Sequence, residues 1–132
     1  MSQFLSVAPF TRVRVDVSRT QDWTDKAPQL QNDDGTPFNL AGYDLRLFVR
    51  PTYDHQVSLL SLTRGAGIVV TDEANGLFQF GVTREGISTI PLLPNGDAAT
   101  YDHFLVMVTY AQPNQWREIW RGPFVVHPGR IA

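Results

Sequence analysis

Along most of this chain apolar and polar residues alternate one by one, the period of a strand with a single buried face. In residues 10–17, Val13, Val15 and Val17 fall on one side and Arg12, Arg14 and Asp16 on the other. Over residues 43–50, Tyr43, Leu45, Leu47 and Val49 share a side, and Pro51 ends the run. Phe78, Phe80 and Val82 do the same over residues 77–83. Shorter strands are predicted at 20–25, anchored by Trp23, at 57–62 and at 67–71, with an irregular edge piece near 29–31. Residues 101–110 and 115–120 flank a loop at 111–114, and residues 124–127 close the series behind Pro123. The one helical turn falls at 84–90, cut short by Pro91 and Pro94. About eight or nine strands and almost no helix result.

Turn chemistry sets the rhythm. Asp34-Gly35-Thr36-Pro37 leads through Leu40-Ala41-Gly42 into the strand at Tyr43. Gly67-Ile68-Val69-Val70 leads through Asp72-Glu73-Ala74-Asn75-Gly76 into the strand at Leu77. Gly and Asn supply the backbone conformations tight turns require. Turn and strand repeating at this spacing predict an all-β fold, two antiparallel sheets packed as a sandwich. The inner positions include Val13, Val15, Val17, Leu45, Leu47, Val49, Phe104, Val106 and Val108.

One strand departs from the half-buried pattern. Phe104, Val106, Val108 and Tyr110 share a face, yet Leu105 and Met107 on the opposite face are apolar too. Either the strand is central and covered on both sides, or Leu105 and Met107 meet another subunit. Trp116 and Trp120 fall on the same side of their strand with Glu118 between them, opposite Arg117, Ile119 and Arg121. Trp and Arg anchor interfaces, so Trp116 and Trp120 join the interface candidates beside a core reading and a glycan-platform reading. Residues 1–9 form an N-terminal arm whose Phe4 and Leu5 would gain from a partner surface. Residues 10–128 form the sandwich domain, and 129–132 a short tail.

At 132 residues the chain makes one domain of ordinary size, and its 42% hydrophobic content supports a real core. A net charge of −2 argues against electrostatic capture of nucleic acid or an anionic membrane. No cysteine is present, so neither a disulfide framework nor a thiolate site is expected. No signal-peptide pattern and no membrane-length apolar run is read. The histidines His55, His103 and His127 stand far apart without zinc spacing. Asp54-His55 and Asp102-His103 invite a triad, but neighbours in a strand face opposite ways, and no nucleophile elbow occurs. Asp72, Glu73 and Asn75 read as a hairpin turn before they read as a calcium loop. Arg12, Arg14, Arg46 and Arg50 form a stripe only if their strands are neighbours, and cross-strand ion pairs explain them adequately. No cofactor and no enzymatic activity are expected.

The turn and strand phrases resemble the small immunoglobulin-like β-sandwich of bacteriophage tail, baseplate and fibre proteins. The matching elements are Asp34 to Pro37, Leu40 to Gly42, Val49-Arg50, Gly67 to Val70, Asn75 to Thr83, Tyr101-Asp102 and Arg121 to Val126, across roughly residues 10–128. The resemblance implies an immunoglobulin-like strand order. It also implies a structural virion protein making protein–protein contacts with other virion proteins, in several copies of a symmetric assembly. An adaptor, decoration or fibre anchor is the expected role. The alternative is a carbohydrate-binding module or host-surface adhesin.

Overall fold

The computed structural model describes residues 11–32, 34–52 and 54–129. Its strands are β1 (Thr11–Arg12), β2 (Val15–Ser18), β3 (Tyr43–Arg50), β4 (Leu60–Arg64), β5 (Gly67–Asp72), β6 (Leu77–Phe80), β7 (Ala99–Thr109) and β8 (Gln112–His127). One helical turn, α1 (Arg84–Ile87), and one 3-10 turn, Glu73–Asn75, interrupt them. The fold is all-β.

Alternation leads one to expect two separate antiparallel sheets. The strands instead form one mixed sheet, in the order β1-β8-β7-β3-β4-β5-β6, with β2 also on β8, curled into a half-barrel. It is mixed because β1 and β2 run parallel to β8 and β4 pairs parallel with β5. It is continuous because β4 passes directly into β5, held by the Thr63 N–H to Ala66 C=O bond of 3.0 Å. A period of two says which face a residue takes and nothing about which strands pair, so neither feature is visible in the pattern.

The curl brings the two ends of the sheet face to face. Residues 23–31 lie along β6 through bridges Trp23 to Val82 and Lys26 to Gln79. Trp23 stacks on Phe80 at 4.3 Å and meets Phe124 of β8 edge-on at 5.5 Å. Phe78 stacks parallel to Trp120, also of β8, at 6.1 Å. Aromatic rings thus tie β6, the last strand of the sheet, to β8 near its other end, each pair adding about 0.5–1.5 kcal/mol beyond its buried area. Leu45, Leu47, Val49, Ile68, Phe38 and Leu40 fill the space beneath, all fully buried.

Two glycines are fixed by what surrounds them. Gly76 takes a left-handed φ of 66° at the end of the 3-10 turn, with the carbonyl oxygens of Leu30 and Phe38 where a Cβ would stand. Gly122 lies against the backbone of Val13, whose N–H bonds Arg121 C=O at 2.9 Å. That close approach lets the N-terminal strands pair with β8.

Several sequence expectations change. The hairpin between β7 and β8 is shorter than 111–114, because Thr109 pairs with Gln112 across only Tyr110 and Ala111. Phe104, Val106 and Val108 are expected inside. They lie instead on the outer face with their partners Phe48, Arg46 and Asp44, while Leu105 and Met107 pair with Leu47 and Leu45 on the core face. Val13 is only partly buried. Phe10 lies outside the described residues.

His103 is the one histidine fully inside, at 0% exposure. Its Nδ1 bonds the Gly122 carbonyl at 2.9 Å and its Nε2 has no partner. Burial pushes its pKa down from 6.5 to about 4, against the opposing pull of the Gly122 and Pro123 backbone.

Two outcomes follow. Gly122→Ala drives a methyl into backbone and is expected to cost about 2 kcal/mol or more in urea denaturation, whereas Gly129→Ala, with nothing within 4 Å, is expected to be near neutral. The unfolded chain protonates His103 before the folded one does. Stability from this group is therefore level above 6.5 and falls as pH drops from 6.5 towards 4. Denaturation midpoints across that interval, with the His103 imidazole followed by NMR, check both the slope and the neutral ring.

Candidate interaction surface

The sequence singles out six residues, and the structure separates them. Phe4 and Leu5 lie outside the described residues. Leu105 at 0%, Met107 at 3% and Trp120 at 2% are buried in the chain's own core, so in this fold they present no surface to a partner. Trp116 is 47% exposed. Strict alternation puts Trp116 and Trp120 on one face, but a register shift intervenes: Leu105 pairs with Trp120 while Val106 pairs with Glu118. Ile119 is the extra residue of this β-bulge. Before it, Trp116 and Glu118 face outward. After it, Trp120, Phe124 and Val126 face inward, and Ile119 itself is buried at 1%.

The outer face of β3, β7 and β8 is an aromatic and arginine surface. Phe48 stacks nearly parallel to Trp116, with centroids 5.7 Å apart and 15° between planes, and lies 5.3 Å from Phe104. Arg46 covers the Trp116 ring at 5.1 Å. Arg50 covers Phe48 at 5.3 Å and Phe104 at 4.9 Å. Each such cation–π contact contributes about 0.5–1 kcal/mol at a partly exposed site. Beneath this layer Val106 and Val108 are 4% and 2% exposed. The central strand is thus covered on both sides, by the core on one and by its neighbours' long side chains on the other.

Hydrogen bonds hold the arginines in place. Arg46 Nε donates to Asp44 Oδ2 at 2.9 Å, and Arg121 chelates Glu118 through Nε at 2.7 Å and Nη2 at 2.9 Å. Arg50 Nε donates to Ser58 Oγ at 3.0 Å. Trp116 Nε1 donates to the Pro113 carbonyl at 2.9 Å, which fixes the ring. A pocket of about 190 Å³ opens at the hairpin end of β7 and β8, lined by Tyr43, Met107 and Arg117 on the core side of the sheet as well as by Trp116. In the sequence Arg46 and Arg50 stand out without their aromatic partners. Phe48 and Phe104 could have been found from the even spacing they share with Arg46, Arg50 and Val106.

The remaining chemistry-bearing residues are dispersed. Asp102 faces outward and His103 inward, as neighbours in a strand must. His127 Nε2 lies 2.9 Å from Asp16 Oδ1. Arg14 hydrogen bonds hold the Asp16 carboxyl below its ordinary range, with His127 adding to the effect against partial burial. In the acidic turn Asn75 Nδ2 donates to Asp72 Oδ2 at 2.8 Å and Glu73 pairs with Arg64. Arg64 in turn donates to the Leu40 and Tyr43 carbonyls at 3.0 and 2.9 Å, so this loop is a structural clamp. Arg12 and Arg14 belong to the β1 and β2 edge, away from Arg46 and Arg50 on β3, so the four make no single stripe. Among the described residues no group of three His, Cys, Asp or Glu side chains is placed to hold a metal ion, and no helix is long and apolar enough to cross a membrane.

No protein-family model and no curated protein matches this chain.

The two tryptophans separate experimentally. Trp120→Ala empties the core and is expected to cost about 3–5 kcal/mol, whereas Trp116→Ala is expected to cost about 1 kcal/mol or less and leave the fold intact. Urea denaturation of both variants, with near-UV circular dichroism of the folded state, makes the comparison.

Proposed function

We propose that this chain is a structural protein of a tailed phage or phage-like particle, with an immunoglobulin-like sandwich that makes protein–protein contacts in tail, baseplate or fibre attachment. The observation that carries the contact role is the Trp116, Phe48 and Phe104 surface under Arg46 and Arg50. Its residue types are those of interface hot spots. Its side chains are already held, so little conformational entropy remains to be lost on docking.

The particle setting rests on the resemblance described above. Asp34 Oδ1 accepts from the Thr36 N–H at 3.0 Å in a turn of its own. Gly76 opens β6, and Arg121 to Val126 run along the parallel contact with β1 and β2. The immunoglobulin-like reading draws on the strand order. The last strand lies between a parallel N-terminal strand and β7, followed by β3 and β4. Residues 23–31, β6 and β5 make the layer that the curl sets opposite. A glycan platform is the weaker reading, because a sugar stacks on an open ring face and Trp116 already carries Phe48 and Arg46.

Quantitative mass spectrometry of purified particles is expected to find the chain at a fixed copy number relative to the major capsid protein. Trp116→Ala is expected to lower that number at least several-fold without unfolding the protein. Absence of the wild-type chain from particles overturns the proposal.

A further inference from the structure

We infer that the outer face of β3, β7 and β8 docks a second copy of this chain about a two-fold axis. The inference rests on reading that face as a contact surface, and it names the partner. Charge supplies the first reason. The face carries Arg46, Arg50 and Arg121 beside Asp44, Asp102 and Glu118, so it is balanced in sign. A balanced surface repels neither an acidic nor a basic partner strongly, and it is self-complementary when each sign is set against the other.

The second reason is what remains unpaired. Arg46 with Asp44 and Arg121 with Glu118 form ion pairs inside the chain. Arg50 and Asp102 stand opposite each other in register on β3 and β7, yet no ion pair joins them. The Arg50 guanidinium is drawn over Phe48 and Phe104, with Nε on Ser58. The Asp102 carboxylate has no hydrogen bond among the described residues. One partly buried cation and one partly buried carboxylate are thus left side by side.

The third reason is geometry. In a face-to-face pair, a two-fold axis running along the strands between β3 and β7 sets each β3 position over the β7 position that is its register partner. Arg50 then lies over Asp102 of the copy, and Phe48 over Phe104, each contact occurring twice. A face three strands wide at about 4.8 Å, and about eight residues long at roughly 3.3 Å, has a flat footprint of about 380 Å² a side. That is below the size of standard stable interfaces, so a weak dimer with a dissociation constant on the order of 100 μM is expected.

Sedimentation equilibrium of the full chain from about 1 to about 300 μM, at low and high salt, tests this. The expected result is a monomer–dimer equilibrium that weakens with salt. Arg50→Asp and Asp102→Arg alone are each expected to weaken it by about tenfold or more, and the double exchange to restore it. A monomer throughout overturns the inference, and so does a dimer indifferent to salt and to all three variants. Should a single variant fail to fold, the wild-type salt series decides, since only a charge-paired interface weakens. A monomeric chain whose Trp116→Ala variant still drops out of particles leaves the contact role standing with a different partner. A dimer absent from particles leaves the inference standing and removes the particle setting.

Discussion

The bulge at Ile119 is the constraint on which the rest of the molecule depends. β8 is sixteen residues long and serves two faces in turn. Before Ile119 it contributes Trp116 and Glu118 to the outside, and after it Trp120 and Phe124 to the core. Were Ile119 to take a regular strand position instead of bulging, strict alternation would put Trp120 outside with Trp116, and Phe78 would lose its stacking partner. The ends of the curled sheet would then be joined by fewer rings. The same step leaves Trp116 where Phe48 and Arg46 can reach it. One inserted residue therefore both closes the core and builds the outer surface, because a slip of one in a period of two exchanges every side chain between faces.

Much of the local architecture was legible in the sequence. The strand at Tyr43–Arg50 was readable to the residue, since its alternation is clean and Pro51 follows it. The helical turn at Arg84–Ile87 and the turn closed by Gly76 were legible for similar reasons, Pro91 and Pro94 ending the one and the Asn75-Gly76 turn chemistry closing the other. What was not legible is non-local. Which strands pair, and that β1 and β2 run parallel to β8, depend on contacts between distant segments that leave no periodic trace. The face of β7 was misread for a related reason. Both sides of that strand are apolar, so only the register against β3 decides that Leu105 and Met107 go inward. Trp120 was misassigned because a bulge has no sequence signature here.

The two faces of the sheet are held together by different physics. The inner face relies on apolar and aromatic burial, with a single neutral imidazole, His103, among the hydrocarbon. The outer face relies on long amphipathic side chains, the guanidinium groups of Arg46 and Arg50 standing over rings and covering Val106 and Val108. A surface of that kind costs little to desolvate around its rings and keeps its charges in fixed places. Fixed charge and exposed tryptophan are what a contact surface needs. Both arise here from residues that also stabilise the monomer, so a partner would meet a surface already formed.

The most direct test of the central claim, that Trp116 marks the working surface and Trp120 the core, is hydroxyl-radical footprinting of the free chain and of the chain in purified particles. Trp116 is expected to be oxidised readily when free and protected on assembly, with Trp23 and Trp120 unreactive in both states. Equal oxidation of Trp116 in both states, or ready oxidation of Trp120 in the free chain, would contradict it.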